Sequence, residues 1–237
     1  MKLKFFSVFL LMIVFVSNFP SPFSVYGESD DSWEGVAFFG DSTTHGLIRY
    51  IVEADPTPYA SISRDHILTP PDGTFYLPNI PTTHILYRGQ KLPLGQAIRQ
   101  SSPRILIVTV GVNGLSRWNK DVFVGLYNRL LDVFASSSPN TEIVLQSIFP
   151  TAKIRTKRLS GFTVERVDMV NEWIQEIAQA RNLLYVNSAD ALKGEDGWLR
   201  SEYHNGDGLH LNTEGFKCVL STIEKALDAQ KGKQKQI

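Results

Sequence analysis

The 237-residue chain carries 24 basic and 24 acidic side chains and is 43% hydrophobic, which supplies one sizeable domain and no electrostatic footprint for nucleic acid or an anionic membrane. Its composition shows no sign of disorder, and the single cysteine, Cys218, excludes an internal disulfide and a cysteine-based zinc site. Cys218 stands among Phe216, Val219 and Leu220 at helical spacing, so a buried, inert thiol is expected.

At the N-terminus, Lys2 and Lys4 precede the apolar run Phe5 to Val16 and then the polar, Pro-containing SNFPSPFSVYG, the layout of a secretory signal peptide. The run is shorter than the roughly 20 residues a membrane-spanning helix needs. Export is therefore expected, with a signal over residues 1–27 ending near Val25-Tyr26-Gly27; an uncleaved N-terminal anchor is the alternative. Losing residues 1–27 would remove two lysines and no acid, leaving a mature chain near neutrality. Residues 28–34 (ESDDSWE) read as a polar linker and 35–230 as one domain. Residues 231–237 (KGKQKQI) read as a basic tail, either solvated or attached to an anionic wall polymer.

Val36 to Phe39 is a continuous apolar run, the pattern of a strand covered on both faces, and it leads through Gly40-Asp41-Ser42 into a helix-like segment. A serine at that junction can cap the helix or attack a substrate. The Pro-rich stretch from 55 to 83 is too long for an ordinary connection and reads equally as a lid or binding loop and as a structural flap. HILYRG, His84 to Gly89, is taken as the second strand, and LPLGQAI around Gly95 as a helix start. Ile105 to Val110, Ile143 to Ile148 and Leu183 to Val186 follow as further buried strands. Between and after them lie amphipathic helices marked by Val122, Leu126, Leu130 and Phe134, by Val167, Val170, Ile174 and Ile177, and by Phe216, Val219, Ile223 and Leu227. This β-α alternation predicts an α/β fold, a three-layer α/β/α sandwich around a doubly wound parallel sheet.

Ligands of such sheets bind beyond the carboxyl ends of the strands. Polar residues stand at those ends: Asp41-Ser42, Arg88-Gly89 and GVNG from Gly111 to Gly114. DGLHLN, Asp207 to Asn212, comes just before the last helix, with Thr213 as its expected N-cap and Glu214 in its first turn. Several readings compete over single residues. Asp41 resembles an attacking carboxylate, but no second Asp stands two residues on, and shaping of the turn is the other reading. His204, Asp207 and His210 could be metal ligands. His45 should face solvent or the cleft; His66, His84, Trp173 and Trp198 read as structural; Trp118 could stack on a sugar ring or pack in the core. No G-x-S-x-G elbow, P-loop, G-x-G-x-x-G, H-E-x-x-H or C-x-x-C occurs, so no nucleotide, nicotinamide or metal cofactor is implied.

Taken together, Gly40-Asp41-Ser42, a glycine after the second strand, Gly111-x-Asn113 and Asp207-x-x-His210 resemble the signature blocks of the SGNH (GDSL) hydrolase family, in the family's order from Gly40 to His210. The resemblance implies a flavodoxin-like fold and a serine esterase without a cofactor. It assigns Ser42 as nucleophile, His210 as general base and Asp207 as the group orienting it. The oxyanion would be held by the Ser42 N–H, the Gly89 N–H and the Asn113 side chain, with Gly95 a rival for Gly89. Two positions depart from the family pattern: Thr43 replaces the usual Leu, and Gly114 replaces an Asp that would help hold the Asn113 loop. The implied reaction is hydrolysis of acyl esters by an exported enzyme, with O-acetyl groups on a carbohydrate as the leading substrate. The alternatives are a lipase, lysophospholipase or thioesterase for longer chains, for which an apolar channel from 55–83 would speak, and a non-catalytic glycan- or lipid-binding member of the fold.

Overall fold

A computed structural model describes residues 33–54, 59–154 and 161–234. The expected signal peptide or anchor lies outside the described residues, and among those described no helix is long and apolar enough to cross a membrane.

Five strands form the central sheet: β1 (Val36–Gly40), β2 (Ile67–Leu68), β5 (Ile105–Thr109), β6 (Glu142–Gln146) and β7 (Leu184–Val186). They lie in the order β2-β1-β5-β6-β7, and every pairing is parallel. This is the flavodoxin-like order, in which the strand sequence reverses direction between β1 and β5 and opens a crevice beyond their carboxyl ends. The apolar runs are continuous because both faces are covered. Ala37 and Phe39 of β1 join one core with Ile98 of α2 (Leu94–Ser101), Phe134 of α3 (Lys120–Ser137) and Ile174 of α4 (Val164–Ala180). Val36 and Phe38 join the other with Leu47 of α1 (Ser42–Leu47), Leu192 of α5 (Ser188–Leu192) and Phe216 of α6 (Thr213–Gln234). Phe39 is fully enclosed, with ring centroids 5.0 Å from Phe75 and 4.9 Å from Phe134; truncating such a side chain costs about 3–5 kcal/mol.

Four expectations are corrected. HILY is a strand, β3 (His84–Tyr87), but it pairs antiparallel with β4 (Gln90–Pro93) in a separate hairpin. The second strand of the sheet is β2, inside the 55–83 stretch, which also buries Tyr59, Ile62, Phe75 and Leu77. Trp33 of the supposed linker is buried against Phe38 and Tyr59. Finally, α6 continues through Gln234, so the basic residues expected as a tail begin inside a helix.

Candidate active site

The turn after β1 is built for close approach. A Cβ on Gly40 would stand 2.0 Å from Thr44 Oγ1 and 2.5 Å from the Thr109 carbonyl, so only glycine lets α1 and β5 close on β1 there. Asp41, not Ser42, caps α1: its Oδ1 accepts from the Thr43 N–H at 3.0 Å and from Thr43 Oγ1 at 2.8 Å. Burial pushes the Asp41 pKa up to about 6, partly opposed by those two bonds. With the capping task taken, the Ser42 hydroxyl at the first helical position is free for the cleft.

It finds His210. Ser42 Oγ lies 2.9 Å from His210 Nε2 across a separation of 168 residues, and His210 Nδ1 lies 2.6 Å from Asp207 Oδ2. The loop before α6 holds this pair: Asn205 donates its N–H to the His210 carbonyl and accepts the Asp207 N–H, and His204 bridges to Leu211. Asn212 caps α6 by accepting the Gly215 N–H, one residue earlier than the Thr213 expected. Burial alone would raise the Asp207 pKa. Bonds from the His210 ring and from the N–H groups of His210 and Leu209 outweigh it and hold the carboxyl below its ordinary value. An ionised Asp207 accepts the Nδ1 proton, which leaves the Nε2 lone pair facing the Ser42 hydroxyl. That is the arrangement needed to activate a serine.

The oxyanion side differs from expectation. Gly89 is not brought to Ser42. It forms the exposed turn of the β3–β4 hairpin, where a Cβ would meet nothing within 4 Å, and its neighbour Arg88 pairs at 3.6 Å with Asp65, which precedes β2 at the opposite, amino end of the sheet. Gly73, after β2, is the glycine that lies against Ser42 instead. It is buried at φ +71°, and a Cβ would stand 3.4 Å from Ser42 Cα and 3.1 Å from His45 Cβ. Its own N–H is donated to the Pro70 carbonyl at 2.8 Å. Asn113, after β5, donates one amide hydrogen to the Phe75 carbonyl at 2.8 Å, two residues beyond Gly73, and keeps a second. Gly95 lies in the first turn of α2, as expected, with its Cβ direction facing Ser137.

The absence of Asp at 114 has a steric cause: Gly114 is at φ +86°, and a Cβ would come 2.7 Å from Tyr76 Cε2 and 3.0 Å from Trp118 Cζ2. The loop is held instead by Arg166 of α4, which donates from Nε to the Leu115 carbonyl at 2.7 Å and from Nη2 to the Trp118 carbonyl. Trp118 Nε1 donates to the Gly111 carbonyl at 3.0 Å. Trp118 is therefore not a sugar platform; it is buried, stacked on Tyr76 and edge-on to Phe123. Sequence reasoning missed Gly73 and Arg166. PDG at 71–73 was a turn signal for the first, whereas nothing local marks the second.

The remaining candidates fall into place. His45 is half-buried beside the cleft, with Nδ1 2.8 Å from Thr69 Oγ1. His66 accepts the Ser63 N–H and His84 contacts the Thr82 carbonyl, both local roles. Trp173 is core, Trp198 half-buried, and half-buried Cys218 points its Sγ at the Ala191 carbonyl. His204 accepts the Gly206 N–H, and among the described residues no three His, Cys, Asp or Glu gather as a metal set.

The family model of GDSL-like lipases and acylhydrolases matches residues 38–218. No curated protein matches the chain in sequence. Solved structures share the fold: a GDSL-like lipase from Bacteroides thetaiotaomicron (20% identity, 82% of this chain and 88% of that one, TM-score 0.57) and a lipase/acylhydrolase from Enterococcus faecalis (19%, 82% and 95%, 0.55). A family 3 carbohydrate esterase from Clostridium thermocellum is similar at 17% identity over 83% and 96% of the two chains, with a TM-score of 0.55.

Proposed function

We propose, since the chain belongs to the GDSL-like lipase/acylhydrolase family, that its esterase activity runs through Ser42, His210 and Asp207 and is directed at short acyl groups, with O-acetyl on a carbohydrate the leading substrate. One observation carries the reading: the Ser42 side chain, 168 residues away in sequence, joins His210 and Asp207 in an unbroken hydrogen-bonded relay.

Ser42 Oγ attacks the acyl carbon as its proton passes to His210 Nε2, and ionised Asp207 stabilises the imidazolium that results. The carbonyl oxygen becomes an oxyanion facing the Ser42 N–H, which lacks a helical partner at the first position of α1, and the second amide hydrogen of Asn113. Gly73 supplies room by keeping a Cβ off this side of Ser42. Collapse breaks the ester C–O bond, and the departing alcohol oxygen takes the proton from His210. Water then repeats the sequence on the acyl-enzyme: His210 takes its proton, the acid leaves, and the proton returns to Ser42 Oγ.

The preference for short acyl groups rests on the lining near Gly73. The groove beside it offers no apolar channel: apart from Pro70 and Pro71 its walls are polar, with Asp72, Thr74, Asn79 and Lys91 among them, while Phe75 and Leu77 of the same stretch are turned into the core. Export is the companion proposal, supported by the N-terminal lysines and apolar run; recovery of the chain from the medium rather than from cells tests it. For the chemistry, hydrolysis of 4-nitrophenyl esters of rising chain length is expected to peak at acetate and to vanish with Ser42→Ala. A maximum at long chains would favour a lipase or thioesterase instead. Ligand retention without turnover would mark a binding protein.

A further inference from the structure

We infer that the alcohol portion of the substrate carries an anionic group, carboxylate or phosphate, which is seated by Arg49 and Arg64 in the cavity that adjoins Ser42 and His210. The inference rests on the esterase reading above and names the substrate class of that same site.

The cavity measures about 400 Å³ and begins at the reacting atoms, since Ser42 and His210 are both in its wall. Residues at helical spacing from the nucleophile, namely His45, Gly46, Arg49 and Glu53, continue one face of α1 and the π-helical turn after it (Ile48–Val52). That wider turn, closed by the Glu53 N–H donating to the Ile48 carbonyl at 2.9 Å, keeps Arg49, Tyr50 and Glu53 together on the cavity. Arg64 enters from the facing 3-10 turn (Arg64–His66).

Direction decides which half of the ester lies here. His210 Nε2 must hand its proton to the leaving oxygen, so the alcohol departs on the His210 side. Gly73 and Asn113, on the oxyanion side, are not in this wall, whereas Asn205 of the His210 loop is. The cavity thus receives the alcohol and what the alcohol carries.

Its charges favour an anion. Arg49 makes no ion pair among the described residues and lies over the Tyr50 ring, its guanidinium carbon 5.4 Å from the centroid. Arg64 meets Glu53 at 3.6 Å, with both side chains more than half exposed, a geometry that holds weakly in water and yields to a competing anion. His45 adds no positive charge, because burial first and the Arg64 charge second lower its pKa, against smaller opposing effects of Asp72 and Glu53. In the wall itself two guanidinium groups face one carboxylate, with the Asp72 carboxylate outside it but close enough to act on His45. The guanidinium fork matches carboxylate and phosphate oxygens two at a time.

The test compares kcat/KM for phenyl acetate, 3-acetoxybenzoate and 3-acetoxyphenyl phosphate in the full chain and its variants. The Arg49→Ala/Arg64→Ala double variant is expected to lower the anionic-to-neutral ratio by about five- to tenfold, chiefly through KM. Glu53→Gln should raise that ratio, Arg49→Lys should keep part of it, and added salt should erode it. Which anionic ester is preferred distinguishes carboxylate from phosphate. An equal fall on all three esters, or a ratio that none of these changes moves, overturns the inference while leaving the esterase standing. If the unmodified chain turns over none of the esters, or turnover survives Ser42→Ala, the esterase reading itself fails and this inference with it.

Discussion

Replacing Gly73 and Gly89 separately by alanine isolates what the site requires of its glycine. Both have positive φ, +71° and +73°, so each alanine pays a similar backbone penalty of about 1–2 kcal/mol. For a domain of this size that lowers the unfolding midpoint by about 2–8 °C. The surroundings differ. At Gly89 the new methyl meets nothing within 4 Å, whereas at Gly73 it stands 3.1 Å from His45 Cβ and Cγ and 3.4 Å from Ser42 Cα. Relief there needs a shift of a few tenths of an ångström in His45 or in the Ser42 backbone, which carries both the nucleophile and an oxyanion donor. Since a misplacement of about 1 Å can cost a hundredfold, kcat on 4-nitrophenyl acetate should fall about tenfold for Gly73→Ala. Gly89→Ala should lose no more than Gly73→Ala in thermal midpoint and should retain its kcat. Equal losses of kcat, or a larger loss for Gly89→Ala, would refute the placement of the oxyanion side.

Asn113→Ala should lower kcat by about a hundred- to a thousandfold with little change in KM, as loss of one oxyanion donor does. Arg166→Ala should lower kcat about tenfold by loosening the same loop, and should add little on the Asn113→Ala background; additive effects in that double-mutant cycle would show that Arg166 does not act through Asn113. Asp41 has its folded pKa raised from 3.8 to about 6, so the stability tied to its protonated form is full below about pH 4 and lost as pH rises through about 6, on the order of 3 kcal/mol. Asp41→Asn keeps an oxygen that can cap α1 and removes that titration. Denaturant unfolding from pH 4 to 7 should show the unmodified chain losing stability relative to the variant, and parallel curves would contradict the burial argument.

Local signals carried far in this chain. β1, the turn at Asp41-Ser42 and the Asp207-x-x-His210 loop were legible because each is a short continuous pattern whose partners follow from strand ends. β2 was not, because two residues leave no periodicity to read, and its neighbours are prolines and polar side chains. The HILY run therefore stood in for it, although Arg88-Gly89 followed by a second short run was the sequence of a hairpin, with positive φ at both turn residues. Trp118 could be read either as a platform or as core, because it follows a site loop; its burial depends on Tyr76 and Phe123, which come from other elements. Arg166 was invisible for the same reason, as its contacts lie 48 and 51 residues away along the chain.

Activation of the Ser42 hydroxyl by His210 is the central step, and covalent capture of that oxygen reads it directly. After reaction of the full chain with a fluorophosphonate, peptide mass mapping is expected to place one phosphonyl group on Ser42, with none on the Ser42→Ala variant and a much slower reaction when His210 becomes alanine. Labelling at another residue, or labelling at Ser42 whose rate is indifferent to His210, would contradict it.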